Sequence, residues 1–277
     1  MFSKQIIWTL PTRRQGCSFA TSTGFLIAAA LSLVSMAAVR GQEEPGSLGA
    51  KPTNHPPTVK IVSPKAGTYE ENAQVRYEID VSDQEDGESK FQEINSAEVL
   101  LIVRHFSSPE AAEAAMIRTI ADDPPGLGTL MTSDCLNCHT FDARLIGPSF
   151  ADIRKRYPYS QASVNSMSRH ILQGTSGAWG SIKMPSHPEL TVEQAAACVT
   201  WILKTAADPE TNYYTGTEGT FRVTVPPDSK AKDKGMLVII ASYTDHGLKD
   251  DSSQRMQGRD AIRIRIQGRA VAVDVTR

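Results

Sequence analysis

The string Cys135-Leu136-Asn137-Cys138-His139 constrains this chain more than any other stretch of it. Two thiols with two residues between them, followed at once by an imidazole, commit one short segment to a single bulky group. The thiols suit addition across the two vinyl groups of one porphyrin, and the imidazole reaches its iron from one face. A zinc site wants four nitrogen or sulfur ligands, but no second cysteine pair exists and Cys198 stands alone. A thioredoxin-like dithiol wants a βαβ setting, whereas the surrounding sequence reads as helical. The expectation is one covalently attached haem c.

Such an iron takes a sixth ligand or stays open to a gas or peroxide. Met184 is the best candidate, because it sits in a Gly/Ser/Pro-rich stretch (TSGAWGSIKMPSHP) that reads as an irregular loop between two helices. A loop there can wrap the far face of a ring. Met131 and Met167 fall in helical segments and read as packing residues. His187 is a rival ligand, but Pro188 and the polar context mark it as a surface loop histidine. His170, beside Arg169 on a helix, reads as solvated.

The remaining cysteines are Cys17, in an apolar leader, and Cys198, on an apolar helix face (AAACVTWI) that suits a small buried hydrophobe. Three cysteines after the leader argue against a disulfide framework. In the leader, Lys4, Arg13 and Arg14 precede an uncharged apolar run from Gly24 to Val39. That run falls short of the roughly 20 residues a spanning helix needs, so residues 1–41 read as an export signal cleaved near Ala37 or Gly41. Periplasmic location follows, with membrane association only if the segment is retained. With 29 basic against 31 acidic residues the net charge is −2, too small a field to suggest nucleic acid as a partner.

At 277 residues two domains are expected. Residues 42–56, rich in Gly and Pro, read as a flexible tether. Residues 57–106 show period-2 alternation at Val59 and Ile61, at Val75 to Val81, and at Val99 to Val103, which predicts three strands. Residues 107–125 open with Ser108 and Pro109 before good helix formers and read as a helical linker. Residues 126–206 divide into short helices, the last with Thr191 and Gln194 at capping-box spacing. A polar connection at 207–218 leads to three further alternating runs in 219–277. Three strands on either side are few for separate cores, and six together suit two packed sheets. The fold class expected is α+β, an all-helical unit inserted into one β-sandwich.

The helical segment resembles a small class I bacterial cytochrome c, through CLNCH, IGPSF (Ile146 to Phe150), GTSGAWGSIKMPSHPELT (Gly174 to Thr191) and TWILKTA. The resemblance implies that Pro148 offers its carbonyl to His139, that Trp179 lies beside the haem, and that Trp201 packs the last helix across the first near Gly126 and Leu130. It also implies one-electron transfer at a raised potential, since a thioether favours ferrous iron. The partner would be a redox protein, an exported dehydrogenase or a terminal oxidase or reductase. The unit's seven basic and five acidic side chains leave docking to an apolar rim as much as to charge. The flanking strands, with SDQEDGE at 82–88 and ASYTDHG at 241–247, resemble an immunoglobulin-like domain of the polycystic-kidney-disease-repeat type. There Asp83, Glu85 and Asp86 read as turn caps rather than a calcium loop. Two other readings stay open: a haem sensor or peroxidase with a labile distal ligand, and a glycan- or surface-binding module that carries a haem.

Overall fold

The computed structural model describes residues 53–117, 123–204, 206, 208–227, 234–249 and 251–268. The expected export signal and all but the end of the tether lie outside them. Alternation is strictest in β3 (Gln74–Asp83), where Val75, Tyr77, Ile79 and Val81 all turn inward. β3 pairs antiparallel with β1 (Thr58–Ser63), β4 (Gly87–Glu88) and β9 (Glu218–Arg222), matching Val81 to Val59 and Val75 to Phe221. A second sheet has the order β2 (Gly67–Glu70), β11 (Gln257–Gln267), β10 (Met236–Thr244), β5 (Leu100–Phe106) and β8 (Thr211–Thr215). The two sheets share one core, in which Tyr77, Ile79 and Phe221 meet Val103, Ile239 and Ile264. Both sheets mix strands from before and after the helical segment, because pairing brings β9 to β3 and β10 to β5.

The run Met236 to Tyr243 is buried at every residue, since its two faces meet different partners. Leu237, Ile239, Ala241 and Tyr243 face the shared core. Met236, Val238 and Ile240 are covered by α1 (Pro109–Met116), through Ala112 and Ala115. Ser108 caps α1 by accepting from the Ala111 amide, and Pro109 occupies the first turn. Residues expected as a linker helix thus seal one face of the sheet. Two other expectations need correction. Residues 211–215, read as part of a polar connection, form edge strand β8 on β5; Thr211 is buried, the four side chains after it are half-buried, and the stretch lacks the apolar alternation that marks a strand. The tether ends sooner than expected, because Asn54 is buried and hydrogen-bonded to Asp245.

The helical unit comprises α2 (Pro125–Met131), α3 (Phe150–Arg156), α4 (Gln161–Gln173) and α5 (Val192–Leu203). The Thr191 hydroxyl accepts from the Gln194 amide at 3.1 Å and the Gln194 side chain accepts from the Thr191 amide at 2.9 Å, closing the capping box. α2 crosses α5 so closely that a Cβ on Gly126 would stand 2.2 Å from the Ala197 carbonyl oxygen and 2.7 Å from the Trp201 Cβ. Leu127, Leu130, Phe150, Ile153, Val199 and Trp201 form its core, which Leu100 of β5 joins from the sheet. Arg255 Nη1 donates to the Thr132 carbonyl at 3.0 Å, and Asn95 Nδ2 to Asn137 Oδ1 at 3.1 Å. Loops between the strands therefore hold the end of α2 and the thiol-bearing segment directly.

Candidate haem site

Asp134–Asn137 forms a 3₁₀ turn after α2, and the Cys135 carbonyl accepts from the amides of both Cys138 and His139, at 3.2 and 3.0 Å. One tight turn thereby presents both thiols and the imidazole. The thiols are not joined to each other. Burial first, then Cys198 and Asp134 nearby, pushes the Cys135 thiol up to about 12, so it stays protonated. The loop that follows folds back on the turn, with the amides of Ile146 and Gly147 donating to the Cys138 carbonyl at 3.2 and 2.8 Å.

That fold-back orients His139. Its Nδ1 lies 2.7 Å from the Pro148 carbonyl oxygen, so Nδ1 carries the proton and Nε2 keeps its lone pair. Phe150 stacks on the ring at 5.7 Å with an interplanar angle of 14°. Burial holds the imidazole below its ordinary range, partly opposed by the bond to Pro148. A Cβ on Gly147 would sit 2.4 Å from the His139 Cε1. Glycine is needed there for space alone.

Met184 arrives from another element. The stretch read as an irregular loop is a short hairpin of β6 (Thr175–Gly177) and β7 (Gly180–Met184), with Thr175 opposite Met184. Gly174 stops α4 at φ 74°, a left-handed value that favours glycine, and a Cβ there would also stand 2.9 Å from the Met184 carbonyl oxygen. Two arginines hold the hairpin tip. Arg144 Nη2 donates to the Trp179 carbonyl at 3.1 Å and Arg156 Nη1 to the Ala178 carbonyl at 2.6 Å. The Arg156 guanidinium also lies 4.6 Å from the Trp179 ring centroid, and Tyr157 meets that ring edge to face.

All six residues singled out from sequence, Cys135, Cys138, His139, Pro148, Trp179 and Met184, line one cavity. Its other walls include Leu130, Phe150, Ile153, Val199 and Ile202. Two thiols, an imidazole with a free Nε2, a thioether and an apolar lining fit a porphyrin attached through thioether links. His187 departs from expectation: it is buried at 6 % exposure, its Nδ1 2.9 Å from Glu189 Oε1 and 3.4 Å from Asp134 Oδ1, and it does not line the cavity. Its amide donates to the Ile171 carbonyl, which draws the residue inward behind α4. His170 is exposed as expected, yet borders the cavity, as does Met167. Met131 and Cys198 are buried in the helical core, with Cys198 Sγ 3.6 Å from the Gly126 carbonyl oxygen. Sequence reading gave no role to Gly147, Arg144 or Arg156, since nothing in a loop arginine, a basic helix end or a single glycine announces what it will touch.

Residues 128–206 match the family model described as cytochrome c. Cytochrome c-552 of Hydrogenobacter thermophilus is 36% identical over 69 residues, covering 25% of this chain and 69% of that protein. Cytochrome c-551 of Azotobacter vinelandii is 33% identical over 72 residues, covering 26% of this chain and 87% of that protein. A crystal structure of Nitrosomonas europaea cytochrome c552 shares 28% identity over 28% of this chain and 96% of that one, at a TM-score of 0.27. The strands of both sheets lie outside the family match.

Proposed function

The chain belongs to the cytochrome c family through residues 128–206, and from that premise we propose that it is an exported one-electron carrier whose iron is held between His139 and Met184. Its cofactor is haem c, covalently attached, which supplies a site that takes up and releases one electron. The observation that carries the reading is the single cavity bordered by both thiols, the imidazole and the thioether.

Each residue then has a defined task. Cys135 and Cys138 anchor the group at the 3₁₀ turn. Pro148 fixes the His139 tautomer, leaving Nε2 for iron and raising ligand basicity. Met184 would supply a neutral, soft donor, which favours the reduced state. Trp179, held by Arg144 and Arg156, borders the cavity and would pack beside the haem. Ile146 and Ile182 border the same cavity and are 48% and 61% exposed. They form an apolar rim for brief contact with an exported dehydrogenase or a terminal oxidase or reductase. Support for export is the charged start and uncharged apolar run of residues 1–41. The two sheets with their shared core support an immunoglobulin-like reading of the flanking part, serving to present the haem unit to a partner or to a glycan surface.

A visible spectrum of the purified protein tests the ligand set. A weak far-red band in the ferric state and failure of the reduced protein to bind carbon monoxide are expected. Carbon monoxide binding by wild-type protein would overturn the assignment of Met184 and favour a sensor or peroxidase.

A further inference from the structure

The core-facing stripe of β3 runs Val75, Tyr77, Ile79, Val81 and then Asp83. That of β10 runs Leu237, Ile239, Ala241 and Tyr243, and Asp245 follows in the same register. Each stripe ends in a carboxylate where the pattern calls for an apolar side chain. Asp83 is 7% exposed and Asp245 is 0% exposed. Asn54, 3% exposed, joins them from the segment before β1, its Nδ2 donating at 2.8 Å both to Asp245 Oδ2 and to the Gln254 carbonyl. The adjacent His55 Nδ1 lies 2.7 Å from Glu85 Oε1, which places residues 54–55 against the 83–86 turn. Asp86 Oδ2 accepts from the Tyr243 hydroxyl at 2.7 Å and the His246 amide at 2.9 Å, so three stretches distant in sequence adjoin at the ends of β3 and β10.

The donors there are incompletely used. Asp83 Oδ1 accepts from the amides of Glu85 and Asp86, at 2.9 and 2.8 Å, which is the turn cap expected of it. Asp83 Oδ2 and Asn54 Oδ1 are buried with no hydrogen-bond partner. Among the described residues neither Asp83 nor Asp245 has a lysine or arginine partner. Asp245 Oδ1 accepts from the amides of Gly247 and Met256, at 2.9 Å each, so neutral donors alone meet this carboxylate. Buried carboxylates without a cationic partner, beside the two oxygens without donors, suit a cation. Among the described residues no three His, Cys, Asp or Glu side chains are placed to hold a metal ion of any kind, so a cation here would need the amide oxygen of Asn54, with carbonyls or water, beside the two carboxylates. Two carboxylates and a side-chain amide oxygen, completed by carbonyls or water, are what a hard cation takes.

We propose that Asn54, Asp83 and Asp245 form a Ca²⁺ site that pins the start of the β unit to the ends of β3 and β10. The site also bears on the haem unit. Asp86, on the same turn, lies 3.0 Å from His246 Nδ1, and His246 Nε2 lies 3.1 Å from Glu98 Oε2. Glu98 closes the 3₁₀ turn capped by Asn95, the residue in contact with Asn137 between the two thiols. Holding the 83–86 turn therefore steadies the surface on which the thiol-bearing segment rests.

The test is calorimetric titration of the chelator-stripped, full-length holoprotein with CaCl₂, alongside thermal melts followed by far-ultraviolet circular dichroism. One Ca²⁺ per chain is expected, at a Kd of about 10⁻⁴ to 10⁻³ M, with MgCl₂ binding at least about tenfold more weakly. The melting temperature should rise with Ca²⁺ and fall back with chelator. Asp83→Asn and Asp245→Asn should each weaken Ca²⁺ binding tenfold or more and leave the haem spectrum unchanged. Absence of both heat and melting shift in the wild type would overturn the proposal. So would unaltered binding in Asp83→Asn, which keeps Oδ1 for the turn amides and so tests the site without breaking the fold.

Discussion

Tyr213 of β8 and Trp201 of α5 meet edge to face, with ring centroids 5.1 Å apart and planes at 81°. Phe141 packs on both rings, at 5.5 Å from Tyr213 and 6.0 Å from Trp201, and Phe150 links Trp201 to His139. An edge strand of the sheet thus completes the aromatic wall behind His139.

Truncating that wall couples the two parts of the molecule. Tyr213→Ala should lower stability by about 2 kcal/mol, through lost aromatic contacts and a gap beside Trp201. In urea, the visible signal of the haem unit and the far-ultraviolet signal of the strands should move to lower midpoints together. Separate shifts would mean that the wall is not shared.

Gly147→Ala is expected to disturb the seating of His139. The added Cβ falls 2.4 Å from the His139 ring, and the same residue's neighbour Pro148 orients that ring. Lower haem incorporation during expression, or an altered spectrum with a lowered potential in the protein recovered, is the expected outcome.

Met184→Ala should open the iron to carbon monoxide and lower the potential, with haem still covalently attached. The hairpin should survive, since its tip is held by Arg144 and Arg156 rather than by the methionine. Replacing Cys135 and Cys138 together should abolish attachment and destabilise the helical unit, whose core surrounds the cavity.

The Asp86–His246–Glu98 cluster sets a pH window. Burial lowers the His246 pKa, but its bond to Asp86 and the charges of Glu98 and Asp86 outweigh this and leave it raised above 6.5. Burial raises the Asp86 pKa, but bonds from Tyr243 and His246 outweigh this and leave it lowered below 3.8. The histidine's contribution is full below its unfolded value and fades as pH rises through the raised one. The aspartate's is full above its unfolded value and fades as pH falls through the depressed one. In chelator-treated protein, the gap in urea midpoint between wild type and His246→Gln should be wider near about pH 5.5 than near about pH 9.

Several parts of this molecule are written locally and were legible without coordinates. The CLNCH turn, the Ser108 and Thr191 caps, the Gly174 stop and the alternation of β3 each depend on residues within a few positions of one another. Backbone sterics and one-sided burial act at that range, so periodicity and cap residues report them. Met184 was recognisable as a candidate because few side chains in its stretch are soft donors. Its placement on a hairpin was not, since Gly and Ser mark a turn without saying what flanks it.

The sequence by itself determined the attachment turn, the helices that frame the cavity and the face each main strand turns to the shared core. Tertiary structure alone decided that β8 pairs with β5, that His187 lies inside, that two arginines clamp Trp179, and that Asn54, Asp83 and Asp245 share one buried corner. Those outcomes depend on which distant segments close against each other. A polar side chain reads the same in any local window, whether it ends in solvent or in a partner's reach.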